Sequence, residues 1–319
     1  MDSYTKPQRL SPILVLFIGI LVASTASIMI RVAQKEASSL VIAAYRLTIA
    51  TLILLPIMLR YHREEFFHLK RRQIGLIILS GIFLSFHFAT WISSLQYTSV
   101  ASSAVLVSTI PLWVAVLSPI FLKEIPTRMA VVGMAVALFG GALVGISEAC
   151  SIQEMGLACP PLQEFLQGKA IFGNMLALAG ALTASAYLLV GRWLRSTLPL
   201  IIYITTVYGV AAICLVIMAL ASGQPLGGFS WLAYLAFLGL AVGPQLLGHT
   251  SINYGLRHLS ASFVSVALLG EPIGSTILAM AILKESPSVL EVFGGIVILA
   301  GIYLASRDQK STAQPEQVT

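Results

Sequence analysis

The sequence of 319 residues contains few charged side chains. Only 10% of the residues are Asp, Glu, Lys or Arg, whereas soluble domains carry about 25%. Hydrophobic residues make up 57% of the chain and the mean hydropathy is +0.91. Apolar stretches long enough to cross about 30 Å of hydrocarbon recur throughout, which leaves no room for a soluble domain. We therefore expect an integral membrane protein.

Cysteine is also scarce, with three residues in the chain. Cys214 lies in an apolar stretch, where it acts as a small apolar side chain. Cys150 and Cys159 lie in the one long loop, residues 148–169. On an oxidising outer face they would form a disulfide, and two free thiols are an equal alternative.

The short motifs typical of enzymes are absent. The chain has no H-E-x-x-H, no G-x-S-x-G, no P-loop and no carboxylate cluster suited to a divalent metal. We therefore expect no catalytic residue, no cofactor and no metal site. Without a P-loop, ATP dependence would require a separate subunit.

Ten apolar segments are long enough to be membrane spans. In the first half they are Pro12–Ile30, Leu40–Leu59, Ile74–Leu95, Val100–Leu122 and Met129–Ile146. In the second half they are Ala170–Val190, Leu198–Leu220, Leu232–Leu256, Ala261–Leu283 and Val289–Ala305.

The two halves repeat each other at an offset of 161 residues. Matching positions are Leu122-Lys123-Glu124 with Leu283-Lys284-Glu285, Pro111 with Pro272, Gly133 with Gly294, Gly140 with Gly301, Ser99 with Ser260 and Arg31 with Arg192. An odd number of spans per repeat inserts the second copy upside down. We predict an all-α membrane protein with ten helices in two inverted five-helix repeats, residues 12–147 and 170–306. An outer loop (148–169) joins them, and tails (1–11 and 307–319) flank them.

Basic residues in the loops predict the orientation. With the N-terminus inside, fourteen Lys and Arg residues fall on the inner side, and only Arg31, Lys35, Lys169 and Lys284 fall on the outer side. We expect both termini in the cytoplasm and the protein in the plasma (inner) membrane. The net charge of +6 then reflects topology, so no nucleic-acid partner is expected. Lys70-Arg71-Arg72 is best explained as a helix end at anionic headgroups.

Several short motifs, in order and at matching places in both halves, resemble those of the EamA-type transporters of the drug/metabolite transporter superfamily. They are Tyr45-Arg46-Leu47, the stretch Tyr97–Ala104, Leu122-Lys123-Glu124, Leu259–Ala261, Gly270-Glu271-Pro272 and Leu283-Lys284-Glu285. The resemblance covers nearly the whole chain. It implies a ten-helix inverted-repeat carrier that moves small metabolites, often outward, without ATP. The repeats differ in charge, since Arg46 corresponds to Val207 and Glu271 to Ile110.

Two prolines occupy equivalent depths in the fourth and ninth spans. Pro111 and Pro272 each free a backbone carbonyl, which is tolerated where neighbours or cavity water satisfy it. Interrupted helices at corresponding positions of inverted repeats indicate the central site. We expect a cavity here, with a simple packing kink as the alternative.

Charged residues within the spans are costly unless they are paired or neutralised. Glu271 lies mid-span, where it would couple transport to protons or cations, bind a substrate amine, or bond backbone freed by Pro272. Arg46 lies roughly 9 Å deep at 1.5 Å per residue. It would snorkel, pair with Glu271, or attract an anionic substrate group.

Polar and aromatic groups on the third and eighth spans complete the expected site. His87, Trp91 and Tyr97 lie on one helical face, and His249 and Asn253 are four residues apart on another. They favour a wet, aromatic-lined cavity, although each alone is compatible with interhelical hydrogen bonding.

We therefore expect a secondary transporter that moves an amino acid, amine or drug-like solute by alternating access, with export favoured. Its partners would be that small molecule, the lipid bilayer and a proton or cation. The alternative function is a membrane enzyme acting on a lipid-linked substrate. A non-transporting scaffold or receptor is disfavoured, because the short loops offer little surface to partners.

Overall fold

The structure is a computed structural model that describes residues 11–121, 128–147, 151–153, 156–158, 168–259, 264 and 267–307. The described chain is almost entirely helical. Two three-residue strands, Ser151–Gln153 and Gly156–Ala158, pair antiparallel in the long loop. The all-α prediction missed this hairpin because so short a strand pair has no hydropathy signal. Cys150 and Cys159 lie outside the described residues.

The helices, labelled in chain order, follow the predicted segments. In the first half they are α1 (Pro12–Ala23), α2 (Ala26–Ala33), α3 (Ser39–Tyr61), α4 (Arg63–Phe67), α5 (Arg71–Ser94), α6 (Val100–Val107), α7 (Ile110–Phe121) and α8 (Arg128–Ser147). In the second half they are α9 (Lys169–Thr197), α10 (Leu200–Ala221), α11 (Trp231–Leu240), α12 (Thr250–His258), α13 (Gly270–Leu278) and α14 (Val289–Arg307). Two π-helical segments, Ala241–His249 and Ala279–Leu283, follow α11 and α13.

Seven helical segments are long and apolar enough to cross a membrane. They are Pro12–Ala33, Ser39–Tyr61, Arg71–Ser94, Val100–Leu117, Lys169–Thr197, Leu200–Ala221 and Trp231–His258. The other three predicted spans contain shorter apolar helices within the described part of the chain, namely Val131–Val144, Gly270–Leu283 and Val289–Gly301. The protein is thus a multi-pass helical membrane protein.

Serine caps fix where two of these helices begin. Ser99 Oγ accepts a hydrogen bond from the Ser102 N–H at the start of α6, and Ser230 Oγ accepts one from the Ala233 N–H at the start of α11. Each cap satisfies one of the N–H groups that a first helical turn leaves unpaired.

Glycine contacts show that α8 and α14 pack closely and run antiparallel. A Cβ added at Gly140 would lie 2.7 Å from Gly294 O, and one added at Gly301 would lie 2.6 Å from Gly133 O. Gly133 of α8 contacts Gly301 of α14, and the later Gly140 contacts the earlier Gly294. The two helices therefore run in opposite directions. The two contacts are repeat equivalents of each other, because each glycine corresponds to a glycine in the other contact.

The same equivalence holds for two hydrogen bonds made by arginine. Arg31 Nη2 donates to Thr98 O at 3.3 Å, and Arg192 Nη1 donates to Leu259 O at 3.4 Å. The offset that relates Arg31 to Arg192 also relates Thr98 to Leu259. The sequence repeat is therefore a repeat of tertiary contacts.

The two halves share one core. Helix α5 packs along α9, α3 along α10, and α8 along α14, while α1 packs on α12 and on the π-helical segment before it. Each of these pairs joins one element from each half. Buried side chains from both halves consequently form a single large apolar cluster.

Candidate functional site

A small cavity lies among the helices that the repeat brings together. Its volume is about 40 Å³, which is room for about one water molecule. The lining residues are His87, Trp91, Val107, Ser108, Ile110, Ala184, Tyr187, Leu188, His249, Ile252, Leu268 and Glu271.

Two helix breaks border the cavity at nearly equivalent positions of the repeat. The first is the turn at Ser108 and Thr109 between α6 and α7, and the second is the turn at Leu268 and Leu269 before α13. Pro111 and Pro272 are both buried and lie in the first turn after each break. A missing N–H has little cost there, because first-turn N–H groups have no partner within the helix.

Four of the predicted site residues line the cavity together. His87 Nδ1 lies 2.9 Å from Gly180 O, and since a carbonyl only accepts, Nδ1 carries the proton. Its Nε2 is then an acceptor when the ring is neutral. The His87 ring stacks parallel to Trp91 at 5.8 Å between centroids, and the His249 ring lies 6.4 Å away. Glu271 completes this set.

Glu271 occupies the first turn of α13, where the helix dipole favours a negative charge. Ser24 Oγ shares its proton between Ile20 O at 3.0 Å and the Glu271 backbone carbonyl at 3.3 Å, and Ser275 Oγ donates to Ser24 O at 3.1 Å. Ser24 lies at the break between α1 and α2. The carboxylate-bearing turn is thus attached to a third interrupted helix that the sequence did not predict.

Arg46 is fully buried, so it does not snorkel to the surface. Its Nε donates to Gln245 Oε1 at 2.8 Å, and its guanidinium lies 4.2 Å from the centroid of the Phe88 ring. The salt bridges found among the described residues do not pair Arg46 with Glu271. Phe88 also contacts His249 at 5.2 Å, so Arg46 lies behind the aromatic wall of the cavity.

Three buried N–H donors near this wall have no hydrogen-bond partner among the described residues. They are Arg46 Nη1, Gln245 Nε2 and Trp91 Nε1. A buried donor without an acceptor costs free energy, and each such group calls for an explanation. Trp91 lines the cavity, whereas Arg46 and Gln245 are not among its lining residues.

Asn253 lies behind the cavity rather than on it. It accepts a hydrogen bond from Tyr187 OH at 2.8 Å and donates to Tyr208 OH at 3.3 Å. Tyr187 itself lines the cavity. The buried Arg195 Nε donates to Asn253 O at 3.2 Å. Tyr187 was not predicted as a site residue and Arg195 was expected in a loop, because hydropathy does not show which face of a helix is buried.

Tyr97 is apart from this group. It follows the end of α5, is 37% exposed, and packs edge-to-face on Phe172 at 5.0 Å. It does not line the cavity.

The Leu283-Lys284-Glu285 triplet has a visible structural role. Lys284 adopts a left-handed conformation (φ 60°) that ends the π-helical segment. Glu285 Oε1 pairs with Arg31 at 3.0 Å, and its Oε2 accepts from the Val100 N–H at 3.1 Å. The acidic residue therefore links the ends of three helical segments. Its repeat equivalent, Glu124, lies outside the described residues.

Within the described ranges, no group of three or more His, Cys, Asp or Glu side chains is placed to hold a metal ion.

Comparisons with known proteins match the chain along nearly its whole length. The model of the EamA-like transporter family matches residues 10–146 and 171–307. An uncharacterized transporter of Archaeoglobus fulgidus is 23% identical over 93% of this chain and 97% of its own length. The uncharacterized transporter YyaM of Bacillus subtilis is 26% identical over 83% of each chain. A solved structure described only as "Crystal structure of protein" is 18% identical over 93% of this chain and 97% of that chain, with a TM-score of 0.65, so it shares the fold.

Proposed function

Because the chain belongs to the EamA-like transporter family, we propose that this membrane transporter is a secondary carrier that works by alternating access. The substrate is a small metabolite, namely an amino acid, an amine or a drug-like solute, and the net direction is export. The protein resides in the plasma membrane with both termini in the cytoplasm. Ten crossings are made by two inverted units, residues 12–147 and 170–306, with the outer loop (148–169) between them and the tails (1–11 and 307–319) outside them.

The central cavity between two equivalent helix breaks supports this mechanism most directly. Each repeat contributes one break, and the cavity lies against both. In an inverted repeat, exchanging the conformations of the two units exchanges the side on which the centre is open. In the proposed cycle the helices around the small cavity move apart on one side of the membrane or on the other.

The antiparallel packing of α8 on α14 agrees with inverted units. A two-fold axis in the membrane plane places equivalent helices antiparallel, whereas an axis along the membrane normal would place them parallel. The glycine contacts between Gly140 and Gly294 and between Gly301 and Gly133 are antiparallel. They favour the first arrangement.

Glu271 is the proposed coupling residue. It is the acidic group that lines the cavity, and its charge is costly in a medium of low dielectric constant. When no solute is bound, a proton on Glu271 would remove the free-energy cost of burying its charge. A substrate amine would replace that proton. His87, Trp91 and His249 supply acceptors and a flat surface for the solute. Arg46 and Asn253 support the lining residues through Phe88 and Tyr187.

Counterflow in proteoliposomes tests the carrier mechanism. A metabolite panel is first screened by thermal shift, since a bound ligand stabilises the folded protein by mass action. The best ligand should then show counterflow in the wild type, and a proton gradient should drive net movement. Glu271→Gln should retain counterflow and lose the response to the proton gradient. Glu64→Gln, at an exposed position of α4, is the control and should behave as the wild type.

Leak-free vesicles that show no counterflow with any stabilising ligand would contradict the carrier proposal. Unchanged proton dependence in Glu271→Gln would remove this residue from the mechanism.

A further inference from the structure

A cleft lies at the end of the helices that is expected to face the cytoplasm. This basic cleft, about 560 Å³, separates the connection between α4 and α5 from the connection between α9 and α10. Lys70 and Arg72 line one side, and Trp193 and Thr197 line the other. The guanidinium of Arg72 lies 4.8 Å from the centroid of the Trp193 ring, which holds it in the cleft.

The positive charge of the cleft is largely uncompensated. Lys70 and Arg72 are exposed and belong to neither of the salt bridges found in the described part of the chain. The carboxylate in the cleft, Glu65, contacts His62 at 3.3 Å. Two cations beside an interfacial tryptophan are typical of a site at headgroup level.

An apolar groove continues from the cleft toward the membrane interior. Its volume is about 580 Å³, it lies between α3, α5 and α10, and it shares Leu69 with the cleft. Along α10 the two spaces run from Ile202 to Ile213, which is roughly 16 Å at 1.5 Å per residue. Thr205 lines the groove one turn below Ile202, and its buried hydroxyl has no hydrogen-bond partner among the described residues.

The repeat-equivalent region at the other end of the molecule is filled by the protein itself. Thr206 in the groove corresponds to Tyr45, whose ring stacks on Phe237 at 4.6 Å and whose hydroxyl donates to Leu226 O. There the carboxylate of Glu36 accepts two hydrogen bonds from Ser230. The equivalents of this pair, Thr197 and Leu69, line the open cleft instead. One end is closed by side chains, and the other is open and positively charged.

We propose that the basic cleft and the apolar groove together bind one anionic phospholipid. Lys70 and Arg72 contact its phosphate, the Thr205 hydroxyl contacts its ester region, and one acyl chain lies in the groove. The shared border at Leu69 joins the two spaces, so one molecule occupies both. This site is distinct from the central cavity and is independent of what the protein transports.

Native mass spectrometry of the purified full chain in detergent tests the proposal with phosphatidylglycerol, phosphatidylcholine and glycerol phosphate as probes. We expect one retained phosphatidylglycerol, bound about tenfold or more tightly than phosphatidylcholine, because each cation contributes about 1 kcal/mol at a charged surface and 1.4 kcal/mol is tenfold. The double variant Lys70→Gln/Arg72→Gln should lose this preference. Thr206→Tyr, which copies the filled end, should weaken both lipids.

The matched control is Arg60→Gln/Arg63→Gln, which removes two exposed cations near the same end but outside the cleft. It should keep the preference. Equal binding of the two lipids, an equal loss in the control, or displacement by glycerol phosphate alone would each overturn the proposal, the last by showing a site for soluble anions. If Thr206→Tyr lowers the melting temperature, the proposal is judged on Lys70→Gln/Arg72→Gln and its control Arg60→Gln/Arg63→Gln alone.

Discussion

The two halves of the chain share several packing contacts and differ in their chemistry. Arg31 and Arg192 make equivalent hydrogen bonds, and the glycine contacts of α8 and α14 occur twice. The polar residues around the cavity do not follow the repeat, since Glu271 corresponds to Ile110 and Arg46 to Val207.

The eighth predicted span also departs from its equivalent. It passes through the π-helical segment that ends at His249, whereas α5 is continuous from Arg71 to Ser94. Single π-turns occur often at functional sites. The packing contacts of α8 and α14 thus follow the repeat, whereas the polar groups at the cavity come from positions that are not repeat equivalents.

The largest effect on transport is expected when Glu271 is replaced by isoleucine, the residue at the equivalent position 110 of the first half. Glu271→Ile removes the charge and also the hydrogen-bonding atoms that Glu271→Gln keeps, so transport should fall at least about tenfold. The melting temperature should stay level or rise, since an unpaired buried charge is destabilising. Proteoliposome transport and thermal unfolding measure the two quantities. A lowered melting temperature would instead assign Glu271 the structural role of bonding backbone around Pro272.

The second comparison concerns the paired glycines. Gly140→Ala and Gly301→Ala each place a Cβ within 2.7 Å of partner backbone atoms. Each should therefore lower the free energy of unfolding by about 2–3 kcal/mol, the upper range for overpacking. Because the contacts are equivalent, the two values should agree closely. Gly141→Ala is the control: its nearest side-chain atom would be 4.0 Å away, so it should be tolerated. Unequal losses would show that the two contacts are not equivalent in strength.

A smaller difference should separate the two arginines. Arg31→Gln and Arg192→Gln both remove a hydrogen bond to a backbone carbonyl, but only Arg31 also pairs with Glu285. That pair is about one-third exposed, so its contribution is reduced to about 0.5 kcal/mol by solvent screening. Arg31→Gln should be the more destabilising by that amount, and the excess should disappear in a Glu285→Gln background. If Arg31→Gln remains the more destabilising substitution in the Glu285→Gln background, the difference comes from another contact of Arg31.

The smallest effect concerns Glu36. Hydrogen bonds from the Ser230 hydroxyl and N–H lower the pKa of the Glu36 carboxyl in the folded protein. Its stabilising contribution is therefore present above the unfolded pKa and is lost as the pH falls through the folded pKa. Glu36→Gln should unfold with a slightly weaker dependence on pH below about 4.5, near the ordinary glutamate value. An unchanged profile would show that Ser230 bonds equally well to the protonated form.

Sequence patterns predicted the membrane class, the repeat and the helix breaks, because hydropathy and proline act locally. His87, Trp91, His249 and Glu271 were expected in one site, and the structure brings them together. The break at Ser24 was not predicted, because Ser24 and Thr25 lie in a continuous apolar stretch with no proline near them.

The burial of Arg195 and the position of Tyr187 were missed for a related reason. Both depend on which face of α9 meets α12, and Asn253 on α12 bonds to both. A long apolar helix gives little pattern from which to assign that face. Tyr97 was expected with His87 from helical spacing, but α5 ends at Ser94, before Tyr97 is reached.

The reciprocal hydrogen bonds between Ser24 and α13 join the break between α1 and α2 to the turn that carries Glu271. Gly274 lies against Ser24, and a Cβ at that position would collide with its hydroxyl. Because the two segments meet at this close contact, a side chain larger than that of glycine at position 274 should separate the break between α1 and α2 from the turn that carries Glu271.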